Sequence, residues 1–214
     1  MHHEQIQTRP RTFSPTFFGE VMNFFALALL VSAGGTYVGF TYALPYILAR
    51  PGLMWAIFAA ELILVFTSRS WSEKRPLGYV LFALFAFLSG FTLAPLLGVT
   101  IQLYGGGLIY KALAATAMTF IATGLIGWRT EWNLTGLRGF LFAALLGMII
   151  VSVIGIFIPW GNTFEMIFSG IGVALFSAYT MYDFQRIKYG ESRPLDAALA
   201  LYLDIFNLFI FILR

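Results

Sequence analysis

An all-α integral membrane protein, built as a seven-transmembrane helix bundle, is the fold class the sequence predicts. Three observations carry the prediction. Of 214 residues, 59% are hydrophobic and only 11% are charged, about half the charged share of an ordinary soluble domain. The few ionisable side chains leave long uncharged runs, and about 20 apolar residues suffice to cross the hydrocarbon core as a helix. The basic residues also gather in alternate connections, as successive crossings in opposite directions require.

Residues 1–17 form a polar tail carrying Arg9, Pro10, Arg11 and Pro15. The apolar run behind it is too long for the core of a cleaved signal peptide, so the tail is expected to stay on the mature protein. Residues 21–49 hold no charge and give a first span ending near Pro45, whose ring blocks helix propagation. A turn at Pro51-Gly52 opens a second span over about 53–68, with Glu61 at its middle and the cluster Arg69, Glu73, Lys74 and Arg75 at its end. The uncharged stretch from Pro76 to Tyr110 holds a third span to about Gly98, a turn at Gly105-Gly106-Gly107 and the start of a fourth, which ends near Trp128.

Arg129, Glu131 and Arg138 make a polar loop before a fifth span over about 139–158. Pro159-Trp160-Gly161-Asn162 separates it from a sixth over about 163–182. After the charged stretch 183–196, the apolar run 197–213 contains Asp204 and Asn207 and reads as a seventh helix surrounded by protein. With no tandem repeat and no long linker, residues 18–214 form one transmembrane domain. Gly35-xxx-Gly39 and Gly170-xxx-Ala174-xxx-Ala178 have the small-residue spacing that lets helices approach closely. Trp71, Trp128, Trp132 and Trp160 fall near span ends, as interfacial belts require.

Ten of the thirteen basic residues share one side: Arg9, Arg11, Arg69, Lys74, Arg75, Arg129, Arg138, Arg186, Lys188 and Arg193. Arg50, Lys111 and Arg214 lie opposite, so the N-terminus is expected in the cytoplasm and the C-terminus outside. This role accounts for the net charge of +3 without a nucleic-acid partner. Cysteine is absent, and the two histidines, His2 and His3, are both in the tail. Disulfides, thiol chemistry and histidine catalysis within the membrane are thereby excluded.

Three acids stand where charge is costly. An ionised side chain near the bilayer centre costs about 2.5–3.5 kcal/mol on insertion scales, so those that persist face a bundle interior or a cavity. Glu61 lies about ten residues, roughly 15 Å, below the outer end of its span. Asp204 is about ten residues into the last helix, and Asp183 is near the cytoplasmic end of the sixth. These two helices run in opposite directions from a short connection, which brings Asp183 and Asp204 to similar depth. Ser169, Gly172, Phe176, Thr180 and Asp183 form one narrow stripe, and Asp196, Ala200, Asp204, Asn207 and Arg214 form a polar seam.

Two carboxylates a few ångströms apart at low dielectric do not both ionise cheaply, so a shared proton makes the pair a proton sensor. Ionised, they repel and favour parted helices or an entering cation; protonated, they close. Oxygen-only ligands (Asp183, Asp204 and Glu61) suit Ca²⁺ passing transiently, and no resident cofactor is expected. The structural alternatives are an i+3 pair between Asp183 and Arg186, a backbone hydrogen bond for Asp204, and a Glu61–Arg214 latch. Arg69 serves either as counter-charge to the aspartates or as an interfacial topology signal.

SGFTLAP at 89–95, YDFQRIK at 182–188 and ALALYLDIFNLFIFILR at 198–214 resemble the transmembrane Bax inhibitor motif family, specifically its bacterial members. The resemblance implies six helices around a central seventh and a pH-sensitive Ca²⁺ leak in a bacterial cytoplasmic membrane. It implies Asp183 and Asp204 as the paired aspartates, Glu61 as the acid of span two and Arg214 as the arginine closing the last helix.

Two other classes compete. An intramembrane aspartyl protease needs Gly-x-Gly-Asp, whereas Leu201-Tyr202-Leu203 precedes Asp204, so no enzyme is expected. A proton-coupled secondary transporter uses the same intramembrane acids, and a partner-binding membrane protein would use them only as internal struts.

Overall fold

The computed structural model describes residues 14–158 and 160–214, and it is helical with no strand among them. His2, His3, Arg9, Arg11 and Pro159 lie outside the described residues. The helices are α1 (Pro15–Val38), α2 (Leu44–Ala49), α3 (Pro51–Phe66), α4 (Ser68–Trp71), α5 (Leu77–Tyr104), α6 (Gly107–Arg129), α7 (Arg138–Phe157), α8 (Asn162–Lys188) and α9 (Pro194–Leu213). Six apolar stretches are long enough to cross a membrane: Pro15–Ile47, Leu77–Tyr104, Gly107–Arg129, Leu134–Gly155, Asn162–Lys188 and Pro194–Leu213. The expected second span is the shorter stretch Gly52–Phe66. The 16 residues of α3 make a helix of about 24 Å, against a hydrocarbon core of about 30 Å.

Pro45 does not end the first span. A widened π-helical turn at Gly39–Ala43 precedes it and leaves Pro45 in the first turn of α2, where its missing N–H is not required. Similarly, α5 runs past Gly98 through the internal Pro95 to Tyr104. Gly105, at φ +78°, ends it in a conformation that glycine adopts without steric cost. Helix α8 continues through Lys188, so Asp183 lies within it.

Glycine sets the closest helix crossings. A Cβ on Gly35 would collide with the backbone of Phe87, and one on Gly90 with the backbone of Ser32, so α1 and α5 meet backbone to backbone. Thr36 adds a hydrogen bond across that crossing, its hydroxyl donating to the Gly90 carbonyl at 2.9 Å. Gly127 does the same for α6 against Met181 of α8. Gly39 lies against Phe91 and Ala94, as its spacing predicts, but Gly170 faces open space. The inward glycine on α8 is Gly172, which lies against the Phe211 ring.

The connections expected on one side do meet at one end. Phe18 at the start of α1 packs edge-on against Trp128 at the end of α6, 5.3 Å between centroids. Glu73, between α4 and α5, pairs with Arg193 before α9. Gln185 of α8 accepts from Leu134 N at 2.9 Å and donates to Trp132 O at 2.7 Å, clamping the α6–α7 connection. Of the tryptophans expected at interfaces, Trp71 is instead buried. Its Nε1 donates to Leu64 O and Thr67 Oγ1, because α4 folds back under α3. Exposed aromatics at the opposite end include Tyr42, Tyr46, Tyr104 and Tyr110 together with Trp55 and Phe157.

Helix α9 packs chiefly on α8, α1 and α6, with a smaller contact to α5. Helix α3 joins the bundle mainly through α5, and α7 through α8. The principal packing of α9 therefore comes from four helices, where the resemblance implies six.

Gly90→Val should overpack the α1–α5 crossing and cost about 1–3 kcal/mol, seen as a lower unfolding midpoint of the detergent-solubilised protein. Gly170→Ala, in open space, should leave that midpoint unchanged or raise it, since alanine is favoured over glycine in a helix by about 1 kcal/mol. Gln185→Leu leaves the buried Leu134 N–H without its acceptor, a cost of about 1–3 kcal/mol. Amide exchange at Leu134 should then accelerate.

Candidate functional site: a buried aspartate pair

The stripe expected on α8 turns inward. Ser169, Gly172, Phe176, Thr180 and Asp183 are all buried, because the 3–4 residue stagger keeps them on the face toward α9 and α6. Helix α9 returns antiparallel from the connection at residues 189–193, and Gly172 lets it pack its Phe211 ring directly on the α8 backbone. The hairpin buries Asp183, 6% exposed, and Asp204, 3% exposed, and puts Asp204 within electrostatic reach of Asp183.

Their surroundings differ. Asp183 Oδ1 accepts from Arg186 Nη1 at 3.1 Å, the i+3 pair that its position one turn inside the charged end allows. Asp204 Oδ2 is fully buried and has no hydrogen-bond partner among the described residues. Buried carboxylate oxygens are ordinarily hydrogen-bonded, and leaving one open costs about 1–3 kcal/mol or more. Tyr179, one turn from Asp183, lies within electrostatic reach of both acids. Thr180 and Asn207 flank the pair but turn inward on their own helices: Thr180 donates to Phe176 O at 2.8 Å and Asn207 to Leu203 O at 2.7 Å.

The other expected residues lie elsewhere. Glu61, half-buried on α3, accepts a hydrogen bond from Thr92 of α5 at 3.0 Å. The Glu61–Arg214 ion pair does not form among the described residues, since Arg214 is exposed at the end of α9. No group of three acids or histidines that could hold a metal ion stands together among the described residues, so Glu61 does not complete a ligand set with the aspartates. Arg69 is exposed and lines a cleft of about 490 Å³ at the charged end. Arg186 lines the same cleft while holding Asp183, which links the buried pair to the water-facing end.

A second polar contact, on the opposite side of α9, escaped the reading of the sequence. Tyr202 is fully buried, and its hydroxyl donates to Ser32 Oγ of α1 at 2.9 Å, with Ala86 O of α5 at 3.4 Å. Two residues along a helix point to different faces. Tyr202 thus ties α9 to α1 and α5, while Asp204 faces α8. The signal was present in Ser32, Ser89 and Thr92, hydroxyls spaced along two spans, and is weak because serine and threonine commonly bond their own helix.

Comparison with known proteins adds the lineage. A family model described as inhibitor of apoptosis-promoting Bax1 matches residues 14–214. An uncharacterized protein of Helicobacter pylori strain J99 is 36% identical over 202 residues, covering 93% of this chain and 85% of that protein. An uncharacterized membrane protein of Streptococcus pyogenes serotype M1 is 30% identical over 231 aligned positions, covering 100% and 97%. Bax inhibitor 1 of Schizosaccharomyces pombe is 30% identical over 159 residues, covering 73% of this chain and 58% of that protein. The aspartate hairpin thus sits within a multi-pass membrane protein that belongs to the Bax inhibitor family.

Proposed function

We propose that the protein is a pH-sensitive Ca²⁺ leak channel in which the Asp183/Asp204 pair closes the path when it takes up a proton. The observation that carries this reading is Asp204 Oδ2, buried without a partner beside a second buried carboxylate. A strut that only holds helices together has its oxygens satisfied by hydrogen bonds. An open oxygen suits a ligand that comes and goes, such as a proton or a hard, oxygen-seeking cation.

The mechanism follows from repulsion. With both carboxylates charged at low dielectric, α8 and α9 are pushed apart or a cation enters between them; a shared proton restores a hydrogen-bonded pair. Arg186 offsets the charge on Asp183 from the water-facing side. Glu61 is a further oxygen on the path, held by Thr92, and Arg214 marks its far end. Seven crossings, with α3 as the second, put the basic end and the N-terminus in the cytoplasm of a bacterial cell. Ca²⁺, protons and the bilayer are the partners in this reading, with no resident cofactor and no catalysis. A proton-coupled carrier is distinguished by saturable flux driven by a counter-gradient.

Ca²⁺ flux into proteoliposomes should rise as the pH is raised. The sign follows because deprotonation creates the repulsion that opens the path. Asp183→Asn and Asp204→Asn, each keeping shape without a full pair of charges, should hold flux near the acidic level across the series. Folded protein that passes no Ca²⁺ at any pH would overturn the leak and favour a carrier of another solute or a partner-binding role.

A further inference from the structure

The cleft at the charged end has a composition that the aspartate pair does not use. Val65 of α3 with Leu199 and Leu203 of α9 give it an apolar floor, and its rim carries Ser68, Arg69, Arg186, Glu191, Ser192, Arg193 and Asp196. Several of the rim charges are already spent. Arg186 holds Asp183 at 3.1 Å, and Arg193 holds Asp196 at 2.7 Å together with Glu73. Four side chains remain without a hydrogen-bond or ion-pair partner among the described residues: the Arg69 guanidinium, the Glu191 carboxylate and the hydroxyls of Ser68 and Ser192.

The uncommitted set is one cation, one anion and two hydroxyl donors over an apolar floor. Such a set discriminates by charge. A simple anion would use Arg69 and be repelled by Glu191; a simple cation would meet the reverse. A zwitterion with a phosphate and a nearby primary ammonium uses both, the phosphate oxygens taking hydrogen bonds from Arg69 and the serines and the ammonium donating to Glu191. Arg69 and Glu191 do not pair with one another among the described residues, so the charge of each is free for a ligand in the cleft that both line. The cleft opens at the end of the bundle where the charged connections gather, the depth of lipid headgroups, and its floor suits the carbons next to a headgroup.

We infer that this cleft binds the headgroup of an aminophospholipid, with Arg69 and the Ser68 and Ser192 hydroxyls on the phosphate and Glu191 on the ammonium. The assignment stands apart from the flux reading, because none of these four side chains belongs to the aspartate pair. Phosphatidylcholine is disfavoured because its trimethylated nitrogen has no N–H to donate, and phosphatidylglycerol because it has no ammonium at all.

The test is lipid retention by the purified full-length chain, read by native mass spectrometry after exchange into micelles doped with phosphatidylethanolamine, phosphatidylglycerol or phosphatidylcholine. The wild type should retain phosphatidylethanolamine about tenfold better than either other lipid, the scale of one hydrogen bond to a charged group. Glu191→Gln should erase the preference, Arg69→Ala should lower retention of phosphatidylethanolamine about tenfold, and Arg69→Lys should restore part of it. Equal retention of all three lipids, or variants that match the wild type, would overturn the site. Stronger retention of phosphatidylglycerol that Glu191→Gln leaves unchanged would replace the zwitterion with a plain anion. Displacement of the lipid by soluble glycerophosphoethanolamine at equal concentration would show that the headgroup is taken from water and overturn the lipid assignment.

Discussion

The backbone contact between α1 and α5 is the constraint on which the rest of the bundle depends. Within a bilayer there is little hydrophobic force between helices, so association rests on close packing and interhelical hydrogen bonds. Gly35 and Gly90 supply the first, and Thr36 supplies the second by reaching the Gly90 carbonyl. That crossing places Ser32 and Ala86 around the Tyr202 hydroxyl. Helix α9 is thereby fixed on one side by a neutral, satisfied contact, and the opposite side is left to carry charge.

The charged side is built on unequal terms. Asp183 has a partner in Arg186, whose own side chain is 31% exposed, and so keeps a connection to water. Asp204 has an oxygen with none among the described residues. Removing one partner from a buried charge generally costs more than the pair ever contributed. A buried carboxylate in that condition is a net cost to the folded state. Close packing of Gly172 against Phe211 keeps the two helices near enough for this cost to be felt at each acid.

Much of this was legible in the sequence, for reasons that can be named. Long uncharged runs locate crossings because charge is so costly in hydrocarbon, and the stripe from Ser169 to Asp183 is buried as its stagger predicts. Helix ends were less legible where proline was taken as a stop. Pro45 is accommodated by a widened turn at Gly39–Ala43, while α5 runs past the end expected near Gly98 with Pro95 inside it. Pairings between distant segments were the least legible. Glu61 with Thr92 in place of Arg214, and Gln185 with the α6–α7 connection, depend on rotations of helices about their axes. A nearly uniform apolar surface encodes such rotations only weakly. Six apolar stretches meet the length a bilayer requires, and the expected second span, Gly52–Phe66, falls short of it.

The shortness of α3 has a consequence for the lipid around it. A crossing helix about 6 Å shorter than the hydrocarbon core cannot remove the hydrophobic mismatch by tilting, which only shortens its span further. A bilayer crossed by such a helix pinches inward beside it, drawing headgroups and water toward the centre. Because α3 contributes Val65 to the cleft and carries Glu61, thinning at α3 would fall on the flank that holds both. Lipid headgroups would then stand closer to the middle of α3, and so to Glu61, than to any residue at the same level of a full-length span.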